Sequence, residues 1–244
     1  MIAITFALPA ESSDFVNLLK EPERDSRDGV EIIRGSLHGK AVTLLHTGVG
    51  EKVCRGRMEV LLRHERFQYL VSAGFAGALG KELRVGDLVL AENFSSPELR
   101  QSSALDLPED RVFLGKLLTV GGMVDSAEER VRLAAKTGAV AVDMETEFIA
   151  EACAKNKTPM LSLRAISDTS SEPFPAPPNV LFDLAKQKTD FTRLALYLLT
   201  HPAALPRLTA FRQRIAGARR NLTAALERIL RADLLGNVLA KREW

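Results

Sequence analysis

Residues 139–153 read AVAVDMETEFIAEAC, an alternating apolar run that changes to a helical pattern after two carboxylates. The run AVAVDM is typical of a buried strand, and ETEFIAEACAK has the periodicity of an amphipathic helix. A strand that leads directly into a helix is the repeating unit of layered α/β folds. Asp143 and Glu145 lie at this junction, where a plain buried strand has no need of charge.

Seven further apolar segments, rich in β-branched residues, predict the remaining strands of a central sheet. They are IAITFAL, VEIIRGSL, AVTLLHTG, YLVSAG, VGDLVLAENF, KLLTVGG and PMLSLRAISD. The sequence LHGKAV predicts a tight hairpin turn, so the second and third strands should pair antiparallel. Helical patterns recur in AESSDFVNLLK, EKVCRGRMEVLLRHE and SAEERVRLAAK, the last with capping-box spacing between Ser126 and Glu129. The sequence therefore predicts an α/β fold with a central mixed β-sheet flanked by helices.

A Pro- and Ser-rich stretch, DTSSEPFPAPPNV at residues 168–180, separates the last strand from a helical tail and is expected to be a loop. Residues 181–200 and 208–230 predict two amphipathic helices separated by HPAALP. We expect one domain over residues 1–200 and a C-terminal helical extension over 201–244. The arginines of the last helix are best interpreted as a solvated face or an oligomer contact.

Composition narrows the class of partner. The 244 residues are 46% hydrophobic, and 33 Lys and Arg against 31 Asp and Glu give a net charge of +2, which disfavours nucleic acid. Two cysteines and four scattered histidines have no metal-ligand spacing. The first residues, MIAITFALPAESS, lack the basic start of a signal peptide, and no apolar run is long enough to span a bilayer. We expect a cytoplasmic protein without a metal, a cofactor or a membrane span, acting on a small molecule.

Ligands of open α/β sheets bind at the carboxyl ends of strands. The glycine turns TGVGEK (47–52) and AGFAGALG (73–80) lie at such ends, but Val53 replaces the third glycine of a dinucleotide fingerprint. Arg164 and Asp168 are four residues apart on one strand and are expected to share a face. The alternative for Glu145 is a carboxylate that favours a helix dipole.

These motifs resemble a known family. VDMETEFIA followed by RAISD, together with TGVG, AGFAGAL and RVGDLVLAE, is similar to the nucleoside phosphorylase superfamily, especially its 5′-methylthioadenosine/S-adenosylhomocysteine nucleosidase branch. The resemblance covers roughly residues 1–200, and the spacing of Glu145 and Asp168 is that of the nucleosidase pattern. It implies a three-layer phosphorylase/nucleosidase-like fold, a homodimer and a purine nucleoside substrate.

The resemblance also implies roles for individual residues. Asp168 matches the general acid that protonates N7 of the base, with Ser167 holding the protonated form. Glu145 matches the carboxylate that binds the ribose hydroxyls, with Met144 packed under the sugar. Glu11 matches the acid that acts on the attacking water, and Arg164 matches the arginine beside that water.

Four more positions follow from the same alignment. Met123 and Val124 match the backbone and apolar wall that recognise the base. Phe75, after Gly74 in the glycine loop, replaces a serine that is usual in the nucleosidases; it is expected to stack on the base, to line a 5′ pocket or to serve as a core aromatic. Asp143 is expected to cap the helix.

Alternative functions remain open at this point. Phosphorolysis needs several donors that converge on a phosphate, and neither FALPAESS nor AGFAG contains an arginine, so hydrolysis is favoured. The long tail is similar to that of the hopanoid-associated phosphorylase-like branch, which implies an adenosyl lipid. A purine nucleoside phosphorylase and a noncatalytic nucleoside-binding protein are further alternatives. The main prediction is hydrolysis of an adenine nucleoside with a variable 5′ substituent.

Overall fold

The computed structural model describes residues 1–107, 111–177 and 191–234, together with Val180 and Gln187. Its nine strands are β1 (Ile2–Phe6), β2 (Lys20–Arg27), β3 (Val30–Leu37), β4 (Lys40–His46), β5 (Leu70–Ala78), β6 (Leu88–Ala91), β7 (Val112–Thr119), β8 (Ala139–Asp143) and β9 (Met160–Asp168). Its helices are α1 (Pro9–Val16), α2 (Glu51–His64), α3 (Pro97–Arg100), α4 (Ala127–Thr137), α5 (Thr146–Lys155), α6 (Phe191–Thr200) and α7 (Ala204–Arg231).

The strands form one mixed sheet in the order β2-β3-β4-β1-β5-β8-β7-β6-β9. Strands β4, β1, β5 and β9 run parallel, and β6, β7 and β8 run parallel to one another in the opposite direction. Because β9 pairs with both β6 and β5, the second half of the sheet closes into a small five-stranded barrel. The predicted mixed α/β fold is confirmed, and the closure is a feature that the sequence pattern did not reveal.

Strand β2 was missed by the sequence analysis. Its sequence KEPERDSR is almost entirely exposed, because it forms the edge of the sheet and pairs only with β3. Charged edge strands of this kind carry no hydrophobic alternation, although they protect the sheet from pairing with another chain. The predicted hairpin between β3 and β4 is confirmed, with His38 and Gly39 both at positive φ in its tight turn.

The tail helix α7 packs against β9 and α1. Its residues Leu222, Leu226, Ile229 and Leu230 are buried in the same cluster as Ile4 of β1. The helix begins at Ala204, so it includes part of the segment that was expected to be a linker. Residues 181–186 and 188–190 of the predicted helix over 181–200 lie outside the described residues, and the domain boundary at residue 200 stays a prediction.

Two local features position the functional side chains. Strands β5 and β8 pair antiparallel through only two residue pairs, Gly77 with Val142 and Ala78 with Ala141, so their carboxyl ends meet. Strand β9 carries a bulge at Ser167, since Ala76 pairs with Ile166 but Gly77 pairs with Asp168. The extra residue shifts the side-chain alternation at the end of β9 by one position.

Candidate active site

A small cleft lies where the carboxyl ends of β1, β4, β5 and β8 meet. Its lining consists of Ala7, Glu11, Thr47, Ala73, Gly74, Phe75, Glu145, Ile149 and Arg164. Of the predicted site residues, Glu11, Glu145, Arg164, Phe75 and Gly74 are therefore brought together. The lining combines two carboxyls and one guanidinium with apolar groups, which is the composition of a small-molecule site.

Glu11 lies in the first turn of α1 and is buried. Its Oε2 accepts hydrogen bonds from the backbone N–H of Ala7 at 2.9 Å and of Leu8 at 3.3 Å. Burial raises the pKa of Glu11 from 4.5 to about 7, although Arg164 and the backbone donors act in the opposite direction. A carboxyl with this pKa exchanges a proton readily near neutral pH, as a general base must.

Gly74 lets Glu11 approach strand β5. A Cβ atom at this position would lie 3.2 Å from Oε2 of Glu11 and 3.8 Å from Cζ of Arg164. Gly74 was predicted to belong to the site from its place in the glycine loop, and the structure gives the physical reason for a glycine there. Any side chain would crowd the carboxylate.

Glu145 is the residue immediately before α5, and β8 ends two residues earlier at Asp143. Asp143 and Glu145 therefore do not lie on one extended strand, because the strand ends at Asp143 and the helix begins directly after Glu145. Glu145 Oε1 accepts a hydrogen bond from the backbone N–H of Gly50 at 3.0 Å. Burial, followed by repulsion from Asp143, raises the pKa of Glu145 to about 8.

Arg164 donates to three polar side chains beneath the cleft, and its Nη1 donates to the backbone carbonyls of Ser72 at 2.8 Å and Leu163 at 3.1 Å. Its Nε donates to Oδ2 of Asp143 at 3.0 Å, and its Nη2 donates to Ser72 Oγ at 2.9 Å and to Thr146 Oγ1 at 2.6 Å. Asp143 also accepts from the backbone N–H of Thr146 at 3.1 Å, which fits the capping role expected for it. These contacts fix the guanidinium rigidly, since nearly all of its donors are engaged by buried acceptors.

Asp168 and Ser167 do not line the cleft. Gly74 is paired with Arg164 and Gly77 with Asp168, and residues three apart on a strand point to opposite faces. The expectation that Arg164 and Asp168 share a face is therefore wrong, because the bulge at Ser167 turns Asp168 to the other side. There Ser167 Oγ contacts Asp168 Oδ1 at 2.6 Å, and Asp168 Oδ2 is paired with Arg130.

Three further predicted positions do not line the cleft. Met144 is half-buried between the ends of β8 and α5, Met123 is exposed, and Val124 is buried against Leu79 and Val142. Phe75 lines the cleft and also packs against the main core cluster, as expected of a core aromatic; its contact with a base or a 5′ group stays a prediction.

Three residues around the site were not predicted from the sequence: Arg130, Ser72 and Thr146. A signal for Arg130 was present, because it lies three and four residues before Leu133 and Ala134 on the apolar face of α4. An arginine on a buried helix stripe needs a buried partner. Ser72 and Thr146 carry no such signal, since small hydroxyl residues are common in strands and first helical turns.

The part of the chain that the structure describes contains no group of three or more His, Cys, Asp or Glu side chains arranged to hold a metal ion. None of its helices combines the length and the apolar character that crossing a bilayer requires.

The family model of the Phosphorylase superfamily matches residues 1–104 and 95–200, which together are most of the chain. The chain belongs to the phosphorylase superfamily. The resemblance stated from the motifs is thereby confirmed, and the match ends just before α7.

Curated relatives of this superfamily member include two 5′-methylthioadenosine/S-adenosylhomocysteine nucleosidases. The protein from Buchnera aphidicola is 26% identical over 197 residues, which are 69% of this chain and 78% of the relative. The protein from Shewanella loihica is 21% identical over 203 residues, or 71% of this chain and 88% of the relative.

Solved structures extend the likeness to nearly the whole chain. The nucleosidase of S. pneumoniae with a transition-state inhibitor has a TM-score of 0.70 and 20% identity, covering 95% of this chain and 98% of that one. A futalosine hydrolase mutant of Helicobacter pylori has a TM-score of 0.61 and 22% identity, covering 68% of this chain and 87% of that one. At these identities the likeness concerns the fold.

Proposed function

We propose that this protein is a nucleosidase that hydrolyses the N-glycosidic bond of an adenine nucleoside with a variable 5′ substituent. 5′-Methylthioadenosine and S-adenosylhomocysteine are the proposed substrates, because the similar nucleosidases bear these names. The observation that carries the proposal is the cleft, where Glu11 with a pKa of about 7 lies beside Arg164 and across from Glu145. Buried carboxyls of this kind are typical of sites that transfer protons.

Cleavage of the bond leaves positive charge on the ribose and negative charge on the base. Glu11 accepts a proton from the attacking water, and Arg164 favours its ionised form. Glu145 accepts hydrogen bonds from the ribose hydroxyls, and in its ionised form it stabilises the cationic sugar. Met144 packs under the sugar, while Met123 and Val124 form the wall beside the base.

The general acid in this proposal is Asp168, which protonates N7 of the departing base. It lies at the end of β9, on the face of β5 that carries Gly77, so this role requires the base of a nucleoside held by Glu145 to reach past the ends of β5 and β9 to that face. Ser167 supports the proposal because its hydroxyl contacts Asp168 Oδ1 at 2.6 Å.

Hydrolysis is proposed over phosphorolysis. Among the described residues that line the cleft, Arg164 is the one cation, and its donors are engaged by Asp143, Ser72 and Thr146. A phosphate dianion needs several free donors at one point. No observation favours an adenosyl lipid or a noncatalytic role, and the homodimer and the cytoplasmic location remain predictions from the sequence.

The proposal is tested with a panel of purine nucleosides, with and without phosphate, while free base is measured. We expect adenine release that does not depend on phosphate. We also expect 5′-methylthioadenosine to have a higher kcat/KM than adenosine, because Phe75 and Ile149 offer apolar contact to a methylthio group. If no nucleoside of the panel releases its base, the proposal is rejected.

A further inference from the structure

Arg130 is a buried arginine outside the cleft. It lies on α4 with 1% of its surface exposed, and it is the one residue of that helix that is buried. Burying a guanidinium is costly unless it is paired and hydrogen-bonded, and an exposed helix position would satisfy it far more easily. Its location therefore calls for an explanation beyond the stability of α4.

Its guanidinium joins three segments. Nη1 donates to the carbonyl of Ala78 at 2.8 Å, at the end of β5, and Nη2 donates to the carbonyl of Val124 at 2.8 Å, before α4. Nη2 also donates to Oδ2 of Asp168 at the end of β9. The two carbonyl contacts hold the guanidinium in place, so the position of Asp168 Oδ2 is fixed from outside its own strand.

The other oxygen of Asp168 has a partner that suits either protonation state. Ser167 Oγ lies 2.6 Å from Oδ1 of Asp168 and 3.2 Å from the carbonyl of Ala76, and it has one hydrogen to donate. When Asp168 is ionised, Ser167 donates to Oδ1. When Oδ1 carries a proton, Asp168 donates to Ser167, which then donates to Ala76. Oδ2 stays on Arg130 in both states.

Few other charges face this pair within the described residues. Strand β5 presents Gly77, where a Cβ would lie 3.0 Å from Asp168 Oδ2 and 3.2 Å from Arg130 Nη1. Strand β8 presents the apolar Val142, and the charged groups of the cleft lie on the opposite face. Arg130 is thus the charged partner that acts on Asp168.

We propose that Arg130 is a positioning residue for proton transfer by Asp168. It holds Oδ2, so that Oδ1 carries the transferable proton, and it stabilises the carboxylate that remains after transfer. This inference rests on the proposed function. In the step, the C1′–N9 bond breaks with its electron pair going to the base, and the Oδ1 proton moves to N7. The water oxygen bonds to C1′, and its proton goes to Glu11.

The test compares Arg130→Met and Arg130→Lys on two substrates. One is 5′-methylthioadenosine, and the other is the p-nitrophenyl riboside with the same 5′ group, whose phenolate departs without protonation. For the nucleoside we expect Arg130→Met to lower kcat about 100-fold with little change in KM, in the range of general-acid effects. For the phenolate we expect less than about a threefold change, and Arg130→Lys should recover most of the loss.

A second test uses only the nucleoside and compares Asp168→Asn with the double variant Arg130→Met/Asp168→Asn. This test alone decides whether Arg130 acts through Asp168. If Arg130 acts through Asp168, adding Arg130→Met to Asp168→Asn costs no further activity, and this double variant buries no unpaired charge. Arg130→Gln serves in its place if the methionine variant does not fold. Equal losses on both substrates, or additive losses in the double variant, overturn the inference. A wild-type protein that cleaves no nucleoside rejects the proposed function instead.

Discussion

At the scale of single residues, the proposed chemistry depends on carboxyls that the fold keeps out of water. Glu11 is buried at the start of α1, and its two backbone donors and Arg164 only partly offset the cost of ionising it. Burial and repulsion from Asp143 raise the pKa of Glu145 to about 8. The site therefore holds two carboxyls that titrate near neutral pH, whereas an exposed glutamate titrates near 4.3.

Replacing Glu11 should remove the proposed base without removing the fold. We expect Glu11→Gln to lower kcat/KM for adenine release by about 100-fold or more, because an amide does not accept the proton of water. The wild-type rate should rise through about pH 7, and the variant should lack this rise. Glu59→Gln, with a side chain that is 69% exposed on α2, is the matched control and should keep full activity. If Glu11→Gln keeps the wild-type rate, another residue is the base.

Stability should depend on pH through the same group. The pKa of Glu11 is about 7 in the folded protein against an ordinary value of 4.5, so the folded state binds more protons between these values. Its contribution is fully present below about pH 4.5 and is lost as the pH rises through 7. Relative to Glu11→Gln, the wild type should lose about 3 kcal/mol of unfolding free energy between pH 5 and 8. Urea unfolding of both proteins at several pH values measures this difference. If the free energies of unfolding of the two proteins change with pH in parallel, the assigned pKa of Glu11 is wrong.

Gly74 allows a direct steric test of the Glu11 position. In Gly74→Ala the new methyl would lie 3.2 Å from Oε2 of Glu11, so the carboxylate must shift by a few tenths of an ångström. We expect roughly a tenfold loss of kcat/KM, since catalytic groups are sensitive to small displacements. Gly56→Ala on α2 is the control, because its Cβ meets nothing within 4 Å. That variant should keep its activity and gain up to about 1 kcal/mol of helix stability.

At the scale of elements, the junction between β8 and α5 positions the residues that hydrogen-bond to Arg164. Asp143 ends the strand, caps the helix through Thr146 and pairs with Arg164 at 3.0 Å. We expect Asp143→Asn to lower the unfolding free energy by about 3–5 kcal/mol, because it leaves a buried guanidinium without its counter-charge. Asp25→Asn, at an exposed ion pair on β2, should change the free energy of unfolding far less, because exposed ion pairs contribute little. If both variants lose the same free energy of unfolding in urea, the pair of Asp143 and Arg164 contributes no more to stability than an exposed ion pair.

The junction also shows what a sequence can predict. The change from alternating to helical periodicity at residues 139–153 placed β8, α5 and the carboxylates between them, because local patterns specify local structure. The bulge at Ser167 left no such trace, and it alone decides that Asp168 faces Arg130 and not the cleft. Contacts between distant segments, such as those of Arg130 with Ala78 and Val124, depend on the assembled fold.

At the scale of the whole molecule, the tail helix contributes to the core of the sheet. Leu226 is fully buried on α7 in the cluster that contains Ile4 and Leu163, although its sequence alone suggested only an amphipathic extension. We expect Leu226→Ala to cost about 2–5 kcal/mol in denaturant unfolding, as deletions in cores generally do. Leu199→Ala on α6, at a side chain that is 80% exposed, should change stability by less than about 0.5 kcal/mol. A Leu226→Ala loss as small as this control contradicts the packing of α7.

The central claim is that water, and not phosphate, receives the ribosyl group. The most direct measurement is mass spectrometry of the sugar formed from 5′-methylthioadenosine in ¹⁸O-labelled water that contains phosphate. The proposed mechanism predicts free methylthioribose with ¹⁸O at C1 and adenine in equal amounts, at a rate that phosphate does not change. A sugar 1-phosphate as the main product, formed only when phosphate is present, would contradict it.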